Sequence, residues 1–206
     1  MENIKCIVWD FDGVLCDSKE IAVEVHNSIC RTNHFDEYVI TPVNTYEDVI
    51  LSMKLKQTII DKYFLLHRDG MFSKRGNMKL FSDVVDYIKQ NNMMSVILTA
   101  TYEKLVIDVL NANGLDTKLF SGIIGRETPG TKESKIYDLL ARYNLRNNEV
   151  LYIGDSPSDV QFCENVGIPI IVVTYGYFSK KYFDNFSIKS MVSNPKSLVN
   201  YLRLHI

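Results

Sequence analysis

The sequence predicts an α/β fold, a parallel sheet covered by helices on both faces, with a helical segment inserted after the first strand. Three observations lead there. Short apolar runs rich in β-forming residues recur at Ile4 to Trp9, Ser95 to Leu98, Val150 to Ile153 and Pro169 to Val173. Helical spacings fill the intervals, as in Leu105, Val106, Val109, Leu110 and in Ile136, Leu139, Leu140, Tyr143. The stretch 17–79 breaks this alternation, because it carries helical patterns and no buried strand.

Taken in order, Ile4 to Trp9 is a buried strand that stops in Asp10-Phe11-Asp12-Gly13, so strand one delivers acids to its carboxyl end. The inserted stretch reads as helices over Ile21 to Arg31, Tyr46 to Met53 and Gln57 to His67. Pro42 and the Thr45-x-x-Asp48 capping signal punctuate two of them. The polar run Asp69 to Lys79, with two glycines, reads as the return hinge into the sheet. Ser95 to Leu98 is the next buried strand, closed by Thr99-Ala100-Thr101 before a helix. Val150 to Ile153 leads into Gly154-Asp155-Ser156-Pro157-Ser158-Asp159, in which Ser156 suits an N-cap, Pro157 the first helical position and Asp159 the N3 position of a capping box.

At 206 residues the chain suffices for one core domain carrying a modest insertion. A formal net charge of -2, with both signs spread along the chain, offers no basic face for a nucleic acid. No apolar run approaches the roughly 18 residues that span a bilayer, and Met1 to Lys5 do not resemble the start of a signal peptide. Cys6, Cys16, Cys30 and Cys163 form no CxxC pair, and His26, His34, His67 and His205 no HxxxH-like spacing. Reduced thiols in a soluble, cytoplasmic protein fit this pattern, and a zinc site does not. Cys16 is either a structural thiol or an oxidation-sensitive one beside the first acidic pair.

Asp is a poor strand residue, so Asp10 and Asp12 at the end of an apolar strand call for a reason. A solvated turn is one, since Asp and Gly are common there. The other is that the carboxyl ends of parallel strands form the crevice where ligands bind. The capping box accounts for Asp159 and leaves Asp155 at a strand tip. Placing Asp155 beside Asp10 is unfavourable unless a cation joins them, and oxygen-only donors select a hard ion such as Mg²⁺. Thr99 and the backbone N–H groups after it suit either a phosphate oxygen or a routine N-cap. Lys132 is either a solvated lysine or an ammonium aimed at the same crevice, and Lys135 competes with it one turn on.

The ordered set Asp10-Phe11-Asp12-Gly13-Val14-Leu15, then Thr99, then Lys132, then Gly154-Asp155-Ser156-Pro157-Ser158-Asp159 resembles the four motifs of the haloacid dehalogenase-like hydrolase superfamily over essentially the whole chain. Asn113-Gly114-Leu115 and the interval from Lys132 to Asp155 resemble its phosphoglycolate phosphatase-like branch, which carries a helical cap. The resemblance implies a Rossmann-like catalytic core from residues 1–16 and 80–206 and a cap from residues 17–79. It further implies Asp10 as nucleophile forming an aspartyl phosphate and Asp12 as acid/base. Thr99, Ala100 and Lys132 would bind the phosphate, and Mg²⁺ would be held by Asp10, the Asp12 backbone carbonyl and Asp155. Asp159 would act through a metal-bound water or behind the direct ligands.

The implied activity is hydrolysis of a small phosphomonoester enclosed under the cap. Phosphate esters are favoured over halides because Asp12 is present. A phosphomutase shares all four motifs. A receiver-type phospho-accepting switch combines similar residues but lacks a large helical insertion. Arg31, Tyr46, Lys54, His67, Arg68 and Arg75 are candidates for substrate contacts from the cap.

Overall fold

The computed structural model describes residues 3–32 and 56–206. The helix expected over Tyr46 to Met53, the Thr45-x-x-Asp48 cap, and Tyr46 and Lys54 lie outside the described residues.

The chain forms β1 (Cys6–Trp9), β2 (Cys16–Asp17), α1 (Lys19–Thr32), α2 (Gln57–Ser73), β3 (Lys79–Leu80), α3 (Ser82–Gln90), β4 (Met94–Leu98), α4 (Glu103–Ala112), β5 (Gly122–Ile124), α5 (Lys132–Tyr143), β6 (Val150–Gly154), α6 (Pro157–Val166), β7 (Ile170–Val173), β8 (Met191–Val192) and α7 (Pro195–His205). Six strands make one sheet in the order β5-β4-β1-β6-β7-β8. Every neighbouring pair in it is parallel. The expected α/β class is therefore present.

The four strands read from apolar runs are β1, β4, β6 and β7. They read as runs because both faces of the sheet are covered. Ile7, Trp9, Ile97, Leu151 and Ile153 pack on one side, with Val84, Val106 and Leu198 from α3, α4 and α7. Cys6, Val8, Val96, Leu98 and Tyr152 point to the other, with Ile136 and Leu139 of α5 and Phe162 of α6. The edge strands β5 and β8, of three and two residues, are too short to show as apolar runs.

Strand β1 lies between β4 and β6, with Trp9 opposite Ile97 on one side and Ile153 on the other. The loops that begin at Asp10, Thr99 and Asp155 therefore leave the sheet side by side.

The insertion leaves and re-enters through a two-stranded antiparallel ribbon, in which Cys16 pairs with Leu80 and Asp17 with Lys79. Asp69 to Ser73 do not form the expected hinge. They continue α2, and Gly70 serves a close helix contact, because a Cβ there would lie 2.6 Å from Val25 Cγ1 of α1. The same helix pair is joined by the hydrogen bond between His26 Nδ1 and the Tyr63 hydroxyl at 2.7 Å. Among the described residues, no helix is long and apolar enough to cross a membrane.

Candidate active site

Three loops converge at the carboxyl end of the sheet. The first, after β1, is a tight turn in which Leu15 and Cys16 N–H both bond the Phe11 carbonyl at 2.9 Å. Gly13 has φ +76°, and a Cβ there would stand 2.1 Å from Asp155 Oδ2. Glycine is thus required twice over, by backbone conformation and by the close approach of the second acidic loop. Gly176, after β7, presses on the same oxygen, with a hypothetical Cβ at 2.3 Å.

Carboxylate oxygens of Asp10, Asp155 and Asp159 lie within 4.8 Å of one another, and all three residues are buried. Lys132, at the start of α5, reaches into this group. Its Nζ donates to Asp10 Oδ2 at 2.8 Å, to Asp159 Oδ1 at 2.7 Å and to the Tyr152 hydroxyl at 2.9 Å. Lys135 does not compete for this position, because its Nζ is turned to the Gly125 carbonyl at 2.8 Å. Asp10 Oδ1 accepts from the N–H of Phe11 at 2.6 Å, leaving the carboxylate at the crevice.

Asp12 sits beside this group with its carboxylate held from two directions. Ser18 donates to Oδ1 at 2.6 Å, and Thr101 Oγ1 donates to Oδ2 at 2.5 Å. Thr99 is buried at the end of β4 and is not the N-cap of α4, a position taken by Tyr102. Its Oγ1 instead accepts from the N–H of Thr101 at 3.1 Å, next to the exposed Ala100. Ser156 does cap α6, in a capping box completed by Asp159. Asp159 therefore does two jobs: Oδ2 bonds Ser156 while Oδ1 bonds Lys132.

Burial dominates the electrostatics. It raises the Asp10 carboxyl to about 6, against the pull of Lys132 and with a smaller push from Asp159 and Asp12. Asp12 is raised by burial, opposed by its bonds from Ser18 and Thr101. Asp155 is raised well above the usual carboxylate range by burial and then by the charges of Asp10 and Asp159. Burial works against the charge on Lys132, but Asp10 and Asp159 more than offset it and hold the ammonium protonated.

Among the described residues, the Asp155 carboxylate takes its hydrogen bond from Tyr177 N–H at 2.5 Å and forms no ion pair. Three buried carboxylates sharing one ammonium have a deficit of positive charge, and their donor set is all oxygen. That chemistry fits a hard divalent cation.

Several contributors escaped the sequence reading. Tyr177 holds Asp155 through its N–H, contacts Ser18 Oγ through its hydroxyl at 3.1 Å and takes a bond from Lys19 on its carbonyl. Ser18 and Thr101 carry no pattern that marks them. Tyr152 does carry one: a phenol inside an otherwise aliphatic strand needs a polar partner. Of the candidate cap contacts, Arg68 pairs with Asp69, and Arg75 with Asp108 and the Phe72 carbonyl. Arg31 is exposed, and His67 stacks on Tyr63. The Cys16 thiol is buried and pushed far up by burial and by Asp12, which opposes thiolate chemistry.

Comparison with known proteins agrees with this geometry. A phosphoglycolate phosphatase of Pasteurella multocida is 26% identical over 220 aligned residues, covering 95% of this chain and 93% of that protein. One of Haemophilus influenzae is 24% identical over 215, covering 94% and 92%. A haloacid dehalogenase-like family hydrolase of Streptococcus pneumoniae superposes with a TM-score of 0.83 over 98% of this chain and 100% of its own, at 19% identity. The family described as haloacid dehalogenase-like hydrolase matches residues 7–173, a span from within β1 to the end of β7 that takes in Asp10, Asp12, Thr99, Lys132, Asp155 and Asp159, and the chain belongs to that family.

Proposed function

We propose that this chain is a Mg²⁺-dependent phosphatase that hydrolyses a small phosphomonoester through an aspartyl phosphate on Asp10. The observation that carries the proposal is the position of Lys132, whose ammonium bridges Asp10 and Asp159 at 2.8 and 2.7 Å while Asp155 stands alongside. A phosphoryl group brings negative charge to a place already crowded with carboxylates, so it needs fixed positive charge there.

In this reading Asp10 attacks phosphorus, and the ester oxygen departs with a proton from Asp12. Asp12 then takes a proton from the water that opens the intermediate. A raised Asp12 carboxyl supports the acid role, since it must be protonated to donate. Ser18 and Thr101 keep that carboxylate oriented. Thr99, the backbone after it at Ala100, and Lys132 bind the phosphoryl oxygens. Asp10, the Asp12 backbone carbonyl and Asp155 would hold the cation, with Asp159 behind them. When bound, the cation supplies charge neutralisation and orientation of nucleophile and phosphate. Phosphate-monoester hydrolysis demands acceleration of up to about 10²¹-fold, which requires these contributions together.

We assign residues 1–16 and 80–206 to the catalytic core and 17–79 to a cap, with the β2–β3 ribbon at the junction. The substrate is a small phosphorylated metabolite. Phosphoglycolate is the first ester to try, because relatives that align along nearly the whole chain are named for it. A nucleic-acid partner is disfavoured by the net charge of -2, and a cytoplasmic location fits four free, buried thiols.

The test is phosphate release from a panel of phosphomonoesters with Mg²⁺ and then with EDTA, beside Asp10→Asn and Asp12→Asn. Release should require the metal and should be abolished in Asp10→Asn. Undiminished release in EDTA or in Asp10→Asn would overturn the mechanism. Interconversion of phosphate isomers without release would make the chain a mutase.

A further inference from the structure

Tyr152 lies in the middle of β6, fully buried, with its ring edge-on to Phe162 at a centroid distance of 4.7 Å. A tyrosine at this position brings an oxygen into an apolar layer, which is costly unless the oxygen is partnered. It is partnered on both sides. The hydroxyl accepts from Lys132 Nζ at 2.9 Å and donates to Asp159 Oδ1 at 3.2 Å, with the Leu98 carbonyl a more distant acceptor at 3.5 Å.

An ammonium has three N–H donors. Those of Lys132 go to Asp10, Asp159 and Tyr152, and the set is full. Two of these acceptors are fixed. Asp159 is fully buried, with Oδ2 tied to the N–H and hydroxyl of Ser156 at 3.2 and 2.7 Å. Tyr152 is packed into the sheet. Only the third acceptor, Asp10, stands at the crevice and takes part in the chemistry. A lysine on a flexible four-carbon stem does not hold a direction by itself. Here the direction comes from a carboxylate and a phenol on opposite ends of the β6–α6 turn.

We propose that Tyr152 is a positioning residue for phosphoryl transfer. Its hydroxyl and Asp159 retain two donors of Lys132, so the third is aimed at Asp10 and passes to an oxygen of the incoming phosphoryl group. This rests on the phosphatase reading above. Removing the hydroxyl leaves one donor without a fixed acceptor, and the ammonium gains freedom at the point where the transition state needs it placed.

Tyr152→Phe deletes the oxygen and keeps the ring against Phe162. With Mg²⁺ present, kcat should fall about tenfold, equivalent to about 1.4 kcal/mol of barrier. Inhibition by vanadate, a phosphoryl-transfer mimic, should weaken by a similar factor, while KM moves less than about threefold. A purely structural role would lower the melting temperature and the amount of active protein and leave the vanadate inhibition constant alone. That result would overturn the proposal, as would kcat within about twofold of wild type.

A second readout is independent of turnover. The ¹⁵N ammonium signal of Lys132, assigned by its loss in Lys132→Ala, should be sharp in the wild type and broadened by exchange in Tyr152→Phe. An equally sharp signal in both overturns the proposal. If the wild type releases no phosphate, the phosphatase reading fails by itself, and the ammonium signal still decides whether Tyr152 holds Lys132.

Discussion

Replacing Asp155 with Asn should make the metal-free protein more stable while abolishing its activity. The Asp155 carboxylate is buried and lies within 4.8 Å of oxygens on Asp10 and Asp159. At that separation and an effective dielectric constant near 20, each repulsion amounts to about 3.5 kcal/mol. The Lys132 ammonium, shared between Asp10 and Asp159, offsets about one of the two, so relief of about 1–3 kcal/mol is expected. The amide oxygen of Asn can still accept from Tyr177 N–H, so no hydrogen bond is lost. For a chain of this length that corresponds to a melting temperature roughly 2–12 °C higher.

The assay is thermal unfolding at neutral pH in EDTA and in excess Mg²⁺. Wild type should gain stability from Mg²⁺, and Asp155→Asn should gain much less, because a ligand stabilises only the state that binds it. A lower melting temperature for the variant in EDTA, or equal stabilisation of both proteins by Mg²⁺, would refute the account of Asp155 as a cation-dependent acid.

Lys132→Ala strands Asp159, fully buried, without its counter-charge. Urea unfolding should show a loss of about 3–5 kcal/mol. Gly13→Ala puts a methyl group where Asp155 Oδ2 stands and forces alanine to φ +76°. Activity should drop about 100-fold through displacement of that carboxylate, measured as kcat/KM on whichever ester proves active. His67 has its pKa lowered to about 4, by burial first and then by His26 and Arg126. The unfolded chain therefore binds this proton before the folded one does. The stability contribution is complete above about pH 6.5 and is lost as pH falls toward 4. His67→Phe, which keeps the ring against Tyr63, should flatten the melting temperature between those pH values.

How much could be read from the chain follows from which interactions are local. The central strands were legible because burial on both faces leaves continuous apolar runs, as in Cys6–Trp9. The α6 start was legible because Ser156, Pro157 and Asp159 solve a problem within one turn. The β2–β3 ribbon was not, since Cys16 and Leu80 pair across the whole insertion and neither dipeptide has a pattern of its own. Lys132 and Lys135 could not be separated by spacing. Their placement is set by where α5 docks, which sends one ammonium to Asp10 and the other to the Gly125 carbonyl. Ser18 and Thr101 were missed for a related reason. Each becomes informative only when the fold brings its hydroxyl to Asp12.

The central place of β1 also bears on how the molecule comes into being. Asp10 precedes both partners of its strand in the chain, which is completed by β4 on one side and by β6, far later, on the other. The nascent segment must wait as an apolar strand with open edges until β6 has emerged, which makes assembly slow and non-local. Chain order softens the electrostatic side of that wait. Lys132 precedes Asp155 and Asp159, so the ammonium is already available when the later carboxylates arrive to join Asp10.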